Sequence, residues 1–584
     1  MERQGGGVNR SSGHNSVPCS AVLHAPRLNT DVRLIELLDA AVWLFQQQRS
    51  ADTREQVVHI VLHPVGSPWV RWVRAWIAAQ TVTAVLRKLW RIASAAIDGQ
   101  RTDTARMSLL AQIRAGRSGA RVRVGPQQSI HIQQACVEYW AVLRSTLTAC
   151  VRAAQIWTRF FRGGSLDAQA VLATRYAGVH IGDVIASECI RVSPLAGGSL
   201  SHCGSWAVFW CLVDAVYTVD YVKERMRRPE GRSYVTVAEP TYLEAIYLRV
   251  LQQHGFSNLE LFDYCGQIYA AGPTELWKGA LVARPSVGRK LSSAQREQVK
   301  RYLDERLSVK GRHLWYMDAG QTGHEPAGLV DHEGRELTRD EAALTVVLFL
   351  HSFDDAQYQF GLDGFADLYA WTVASIDACL RNSNIGRVLI KEHPNVDPDV
   401  CASDRIAVGR LKARYRHEAR VRFINRYSAV NAVASLGRVC GITCHGSVAE
   451  ELVAAGVPVI GSAHAPWGKH YPFLATWDSP KEYADIVGQL TVEAWRPPNL
   501  DEMNALEQFI EEYRLKGLRE QALPVIWQWV VWESGLADAS RRELDAYANR
   551  RVTELHPDST GLTAWLQSRA HRYAQPAAAV CVNQ

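Results

Sequence analysis

The stretch Val439-Cys-Gly-Ile-Thr443-Cys-His445-Gly446-Ser447-Val-Ala-Glu-Glu451-Leu-Val-Ala-Ala-Gly456-Val-Pro458-Val-Ile460 decides the fold. A β-branched run, Val439–Thr443, meets a turn at His445-Gly446-Ser447. A helical pattern then stops at Gly456, and a second apolar run follows over Val457–Gly461. Strand, helix and strand in so few residues read as one crossover between parallel neighbours.

Upstream the same alternation repeats. Thr345–Leu350 reads as a buried strand ending at His351-Ser352-Phe353-Asp354-Asp355, and Asp367–Leu380 as a helix. Arg387–Lys391 is a second strand, ending at Glu392-His393-Pro394, and Val421–Asn425 a third. Apolar strands alternating with helices over roughly 120 residues define an α/β unit with a parallel, doubly wound sheet.

The front of the chain is less regular. Residues 1–28, rich in Gly, Ser and Asn, read as a disordered leader. Helical spacing is expected over Val32–Gln48 and strands over Val57–His63 and Ser233–Glu239. A further helix is expected over Tyr242–His254, ending at Gly255. A charged helix, Leu291–Leu307, leads into a Gly-rich connection, Gly311–Gly334. The expected organisation is therefore a leader (1–28), an N-terminal α/β domain with a helical insertion (29–335), a C-terminal domain (336–500) and terminal helices (501–584) crossing back to the first domain.

Composition excludes several classes. The 584 residues are 47% hydrophobic and 21% charged, which rules out wholesale disorder. A net charge of +6 without a dense Lys/Arg run gives no footprint for nucleic acid. The 12 Cys show no CxxC pair and no Cys/His zinc spacing, so buried free thiols and no metal are expected, Cys440 and Cys444 included. The amino terminus lacks an apolar h-region, and Trp206–Val213 is too short to span a bilayer before Asp214 interrupts it. A soluble cytoplasmic protein is expected. Residues 69–97, with Trp69, Arg71, Trp72, Arg74, Trp76, Arg87, Trp90 and Arg91, form a helical pattern that suits either an anionic membrane surface or packing with snorkelling Arg stems.

In doubly wound sheets ligands sit at the carboxyl ends of the strands. Three such ends carry polar groups: His351 with Asp354 and Asp355, Lys391 with His393 and Pro394, and Gly446 with Ser447. Gly-Ser at a helix start suits a phosphate, and Ser447 serves equally well as an N-cap. Each of the others has a plain structural reading too, as strand terminator or cap.

Together these strings resemble the donor-nucleotide element of GT-B glycosyltransferases, and Ile390-Lys391-Glu392-His393-Pro394 is similar to bacterial capsule and surface-polysaccharide synthesis proteins. The resemblance covers about residues 170–475. It implies two Rossmann-like domains facing a cleft, with an N-terminal helical extension. It also implies a nucleotide-sugar donor, a CMP-sugar such as CMP-Kdo, and a glycan or lipid-linked acceptor, with no other cofactor. His-Pro elements resemble those that hold CMP in Kdo-transferases. Lys391, His393, Gly446 and Ser447 would then meet the phosphate, and Glu451 the ribose. Asp183 and Glu239 in the front domain, with His351 and Asp354 across the cleft, are the candidates for catalysis. A non-catalytic polysaccharide-binding protein and a nucleotide-sugar epimerase on the same scaffold remain alternatives.

Overall fold

The computed structural model describes residues 20–26, 56–63, 66, 67, 69, 70, 120–125, 128–134, 139–162, 164–225, 232–236, 242–253, 259–262, 268–271, 290–307, 329–354, 357, 358, 361–393, 402–426, 428–468 and 470–515. Two sheets organise it.

The first contains β1 (Ser20–Pro26), β2 (Gln56–His63), β3 (Ala120–Gly125), β4 (Gln128–Gln134), β5 (Arg232–Thr236), β6 (Leu259–Phe262) and β7 (Ile268–Ala271), in the order β7-β6-β5-β1-β2-β4-β3. Five neighbours, β4-β2-β1-β5-β6, are parallel, and the edge strands β3 and β7 are antiparallel. In chain order the parallel strands run 3-2-1-4-5, the doubly wound arrangement. Residues 20–26 are thus its central strand. This corrects the reading of residues 1–28 as a disordered leader: Ser20–Pro26 gains strand character only from ladders on both sides, to β2 and β5, which local composition does not reveal.

The second sheet holds β8 (Asp340–Phe349), β9 (Ile385–Lys391), β10 (Val421–Ile424), β11 (Gly437–Ile442), β12 (Val459–Ser462) and β13 (Ala475–Trp477). Its order is β10-β9-β8-β11-β12-β13, parallel throughout, so the chain order is 3-2-1-4-5-6. The fold class is the expected one, α/β with two Rossmann-like sheets.

Both faces of the second sheet are covered, which is why the middles of its long strands, such as Val346–Phe349 and Val388–Ile390, are runs of consecutive apolar residues. Val347, Phe349, Leu389, Val439 and Val459 join one core with helices α5 (Ser293–Leu307), α8 (Val430–Ala434) and α11 (Leu500–Phe509). Val346, Leu348, Ile390 and Ile442 join the other, with helices α6 (Leu368–Arg381), α7 (Ala402–Arg414) and α10 (Pro480–Gly488). That second core continues into α1 (Tyr139–Trp157), α2 (Gly182–Val192), α3 (Ser205–Arg225) and α4 (Glu244–Gln253) of the front half.

Two expected boundaries shift accordingly. Helix α5, assigned from sequence to the first domain, contributes Val299 and Leu303 to the second sheet's core. The described start of the tail also stays there, with Phe509 against Trp467, Tyr471 and Phe473, and Glu511 accepting from Gln295 at 2.7 Å. Residues 516–584, Val32–Gln48 and all of 69–97 except Trp69 and Val70 lie outside the described residues. No helix among the described residues is long and apolar enough to cross a membrane.

The halves are stitched by a segment of the front half, residues 194–203. The Asp367 carboxylate caps α6, accepting from Ala370 N at 2.6 Å, and also takes Leu200 N at 2.8 Å and Ser199 Oγ at 3.1 Å. Gln357 Nε2 donates to Gly198 O at 3.0 Å, and Arg410 to the carbonyls of Ala196 and Leu195 at 2.6 and 2.8 Å.

Candidate functional site

The order of the second sheet reverses between β8 and β11. Their carboxyl ends therefore flank the crevice where this topology binds ligands. His351 follows β8; Thr443, His445, Gly446 and Ser447 follow β11; Lys391 ends the adjacent β9 and His393 follows it. Three separated pieces of sequence thus converge because the strands are parallel and in register.

The contacts are specific. The ring of His351 lies 4.2 Å from that of His445. His351 Nε2 lies 3.2 Å from Thr443 Oγ1 and 3.3 Å from the backbone N of His445. Gly446 N donates to Thr443 Oγ1 at 3.2 Å. A Cβ at position 446 would stand 2.7 Å from Thr443 Oγ1 and 3.3 Å from His351 Cε1, so only glycine fits beneath the imidazole. Lys391 Nζ donates to Arg426 O at 2.6 Å.

Burial sets the charge state. Lys391 is pushed down to about 8 by burial, opposed by the Glu451 carboxylate. Burial lowers His393 to about 4, with Lys391 and His445 adding to it, and lowers His445 to about 4 against the pull of Asp363. His351 is held well below the ordinary range by burial and then by the other two rings. At neutral pH the crevice therefore holds three uncharged imidazoles around one lysine. Such a set donates and accepts hydrogen bonds without the repulsion of adjacent cations, and an arriving phosphate dianion would favour protonation of Lys391.

Ser447 does not cap helix α9 (Val448–Ala454) with its side chain; its hydroxyl takes Arg306 Nη2 at 3.0 Å. Glu451 is engaged by the same arginine, with Nη2 at 2.5 Å and Nε at 3.1 Å from Oε1. Both expected ligand groups thus belong to a partly buried cluster centred on Arg306, which sequence reasoning missed because α5 lies 141 residues before Ser447. His445 and Thr443 were also missed as site residues, although both flank the Gly446-Ser447 motif. The Gly446 N–H, which the sequence offers to a phosphate, donates to Thr443 Oγ1 here. Because α9 has seven residues, its dipole adds little.

The remaining candidates separate. Asp183, at the start of α2, is locked in a buried fork with Arg249, with Nη1 and Nη2 at 2.7 and 2.6 Å, and with His180 Nδ1 at 3.1 Å. Despite the opposing cost of burial, Arg249 and then His180 hold its carboxyl well below the usual range. It is placed as an ion-pair partner, not as the proton acceptor expected of a base. Asp354 accepts from Ser352 Oγ at 2.9 Å, the hydroxyl that also reaches Asp404 of α7 at 2.9 Å. Glu239 and Pro394 lie outside the described residues. Cys440 and Cys444 are free and buried, as expected, and no His/Cys/Asp/Glu group able to hold a metal occurs among the described residues.

No family model matches the chain, and no curated protein sequence does so significantly. Among solved structures it is similar to a KpsC β-Kdo 2,4-transferase from Thermosulfurimonas dismutans, at 12% identity and a TM-score of 0.29, over 49% of this chain and 80% of that one. An E. coli trehalose-6-phosphate structure bound with UDP-2-fluoro glucose matches at 9% identity and a TM-score of 0.28, over 89% of this chain and 99% of that one. A UDP-forming α,α-trehalose-phosphate synthase from Burkholderia vietnamiensis matches at 10% and 0.27, over 96% and 100%. Such scores do not assign a fold or an activity; the sheet orders above carry the fold.

Proposed function

We propose that the protein is a GT-B-type glycosyltransferase that moves a sugar from a nucleotide donor, a CMP-sugar such as CMP-Kdo, to a surface-polysaccharide or lipid-linked glycan acceptor. The observation that carries the reading is the gathering of Lys391, His393, His351 and His445 at the strand ends where the strand order reverses, with the His351 ring against His445 and over Gly446. Sugar transfer from a nucleotide needs donors aimed at the oxygen on which phosphate charge develops. Lys391 and the imidazoles supply them in a water-poor crevice. In this reading the chemistry uses protein groups and the nucleotide-sugar alone, without a metal or other cofactor. The second doubly wound sheet, joined through residues 194–203, supports the two-domain form in which the acceptor approaches from the front half.

The test is a thermal-shift panel with CMP, CDP, UDP, GDP and ADP on wild type and His393→Ala. A nucleotide at ~100 times its Kd adds about 2.7 kcal/mol of stability. The expected result is a shift with one base class, CMP above the others, that the variant loses. No shift with any nucleotide would remove the reading and favour a non-catalytic polysaccharide-binding protein.

A further inference from the structure

A second polar cluster stands beside the crevice, on the next strand. Ser462 ends β12, and its backbone N donates to Cys444 O at 2.8 Å, tying that strand end to the one bearing His445. Two residues on, His464 Nδ1 is hydrogen-bonded to Asp363 Oδ1, while the other carboxylate oxygen, Oδ2, accepts from Ser462 Oγ. The hydroxyl of Ser462 in turn takes the backbone N of His464 at 3.0 Å. The Asp363 side chain is 1% exposed and that of His464 is 40% exposed. A buried carboxylate therefore grips one ring nitrogen of a histidine whose body reaches the surface.

The carboxylate is held there at a cost. Asp363 has φ 49°, in the left-handed region that residues with a Cβ seldom adopt. Its loop is clamped from the front half, with Gln169 Nε2 donating to Gly364 O at 3.4 Å and Gln357 joining Gly198 O to Leu368 N. The pair thus sits where the second sheet's carboxyl ends meet the front half, within electrostatic reach of His445.

We infer that His464, oriented by Asp363, is the proton acceptor for the attacking hydroxyl in this site, a role that rests on the transferase reading. The Asp363 carboxylate fixes the Nδ1–H tautomer, so Nε2 carries the lone pair. In a single displacement the acceptor O–H proton passes to His464 Nε2 while the acceptor oxygen bonds to the anomeric carbon. The bond from that carbon to the donor phosphate oxygen breaks, and the nucleotide leaves with the electron pair. The imidazolium, stabilised by Asp363, then returns its proton to water. His464 is the catalytic residue and Asp363 a positioning residue. This replaces Asp183, whose carboxylate is consumed by Arg249.

The experiment measures nucleotide release from CMP-, UDP- and GDP-sugars with water as acceptor, for wild type, His464→Gln and Asp363→Asn, beside the nucleotide-induced thermal shift of each. The expected result is release slowed about 100-fold or more in His464→Gln with its thermal shift intact. Asp363→Asn should slow release as well, and the 15N spectrum of His464 should lose the Nδ1–H tautomer in that variant. Release within twofold of wild type in His464→Gln, or loss of its thermal shift, would overturn the assignment. Release from none of these donors by a wild type that binds nucleotide would overturn it too and leave the nucleotide site standing. Absence of any nucleotide-induced shift in wild type removes the transferase reading itself, and this inference with it.

Discussion

Arg306 Nη2 stands 2.5 Å from Glu451 Oε1, joining the helix before the second sheet to the helix that opens at its switch point. The two side chains are only 6% and 12% exposed, so neither charge is well solvated without the other. Burial raises the Glu451 carboxyl, and Arg306 is the partner that opposes it.

Removing the guanidinium should therefore cost more than a surface pair would. Arg306→Ala is expected to destabilise the protein by about 3 kcal/mol, since it strands a buried carboxylate. Arg306→Met combined with Glu451→Leu should recover most of that loss, because apolar replacements of both partners are often neutral. Urea unfolding of the three proteins checks it; additive losses in the double variant would show that the two residues are not coupled.

Gly446 carries the shape of the crevice. A Cβ there would press on Thr443 Oγ1 at 2.7 Å and on the His351 ring. Gly446→Ala is expected to displace His351 and abolish the nucleotide-induced thermal shift, while lowering stability by about 1–3 kcal/mol. An unchanged thermal shift would place the nucleotide elsewhere.

Gly198 marks the seam between the halves. Its φ is 71°, and a Cβ would lie 2.3 Å from Phe353 Cβ, in the chain segment leaving β8. Gly198→Ala should destabilise by about 2–4 kcal/mol from left-handed strain plus overpacking. Limited proteolysis should cut between the halves faster than in wild type. Wild-type stability would mean that residues 194–203 are not held against the second sheet.

The histidines give acid sensitivity of known sign. His393 and His445 fall from 6.5 to about 4 on folding, and His351 is lowered in the same direction by burial. Between pH 6.5 and 4 the unfolded chain binds protons that the folded one refuses. Stability therefore drops as pH falls through that window, with a slope approaching about 1.4 kcal/mol per pH unit for each histidine. Lys391, lowered from 10.5 to about 8, adds a loss of the same sign as pH falls through that higher range. His393→Gln and His445→Gln should each flatten the fall in urea midpoint between pH 7 and 4.5. A slope equal to wild type in both would sink the assignment.

Much of the second half is legible in order along the chain. The strands at Arg387–Lys391 and Val421–Asn425 match β9 and β10 closely, because a strand covered on both faces reads as a mainly apolar run, here Val388–Ile390 and Val421, Phe423 and Ile424. The reach of Lys391, His393, Gly446 and Ser447 toward one crevice also follows from the parallel alternation alone, since strand ends of one sheet share a side. The first sheet is harder to read. Its central strand, Ser20–Pro26, is short and sits in a Gly/Ser/Asn-rich context, and its partners are 37 residues and more away.

By itself, then, the sequence determined the α/β class, the alternation that makes the second sheet parallel, and the strand ends at which polar groups collect. Periodicity and turn chemistry act over a few residues and survive in a linear reading. Tertiary structure alone decided that Arg306 holds Ser447 and Glu451, that Arg249 consumes Asp183, and that Asp363 grips His464. It also decided that α5 belongs to the second core. Each of these side-chain pairs joins residues 66 or more positions apart through burial and charge pairing, and no local pattern encodes which distant partner a buried charge will find.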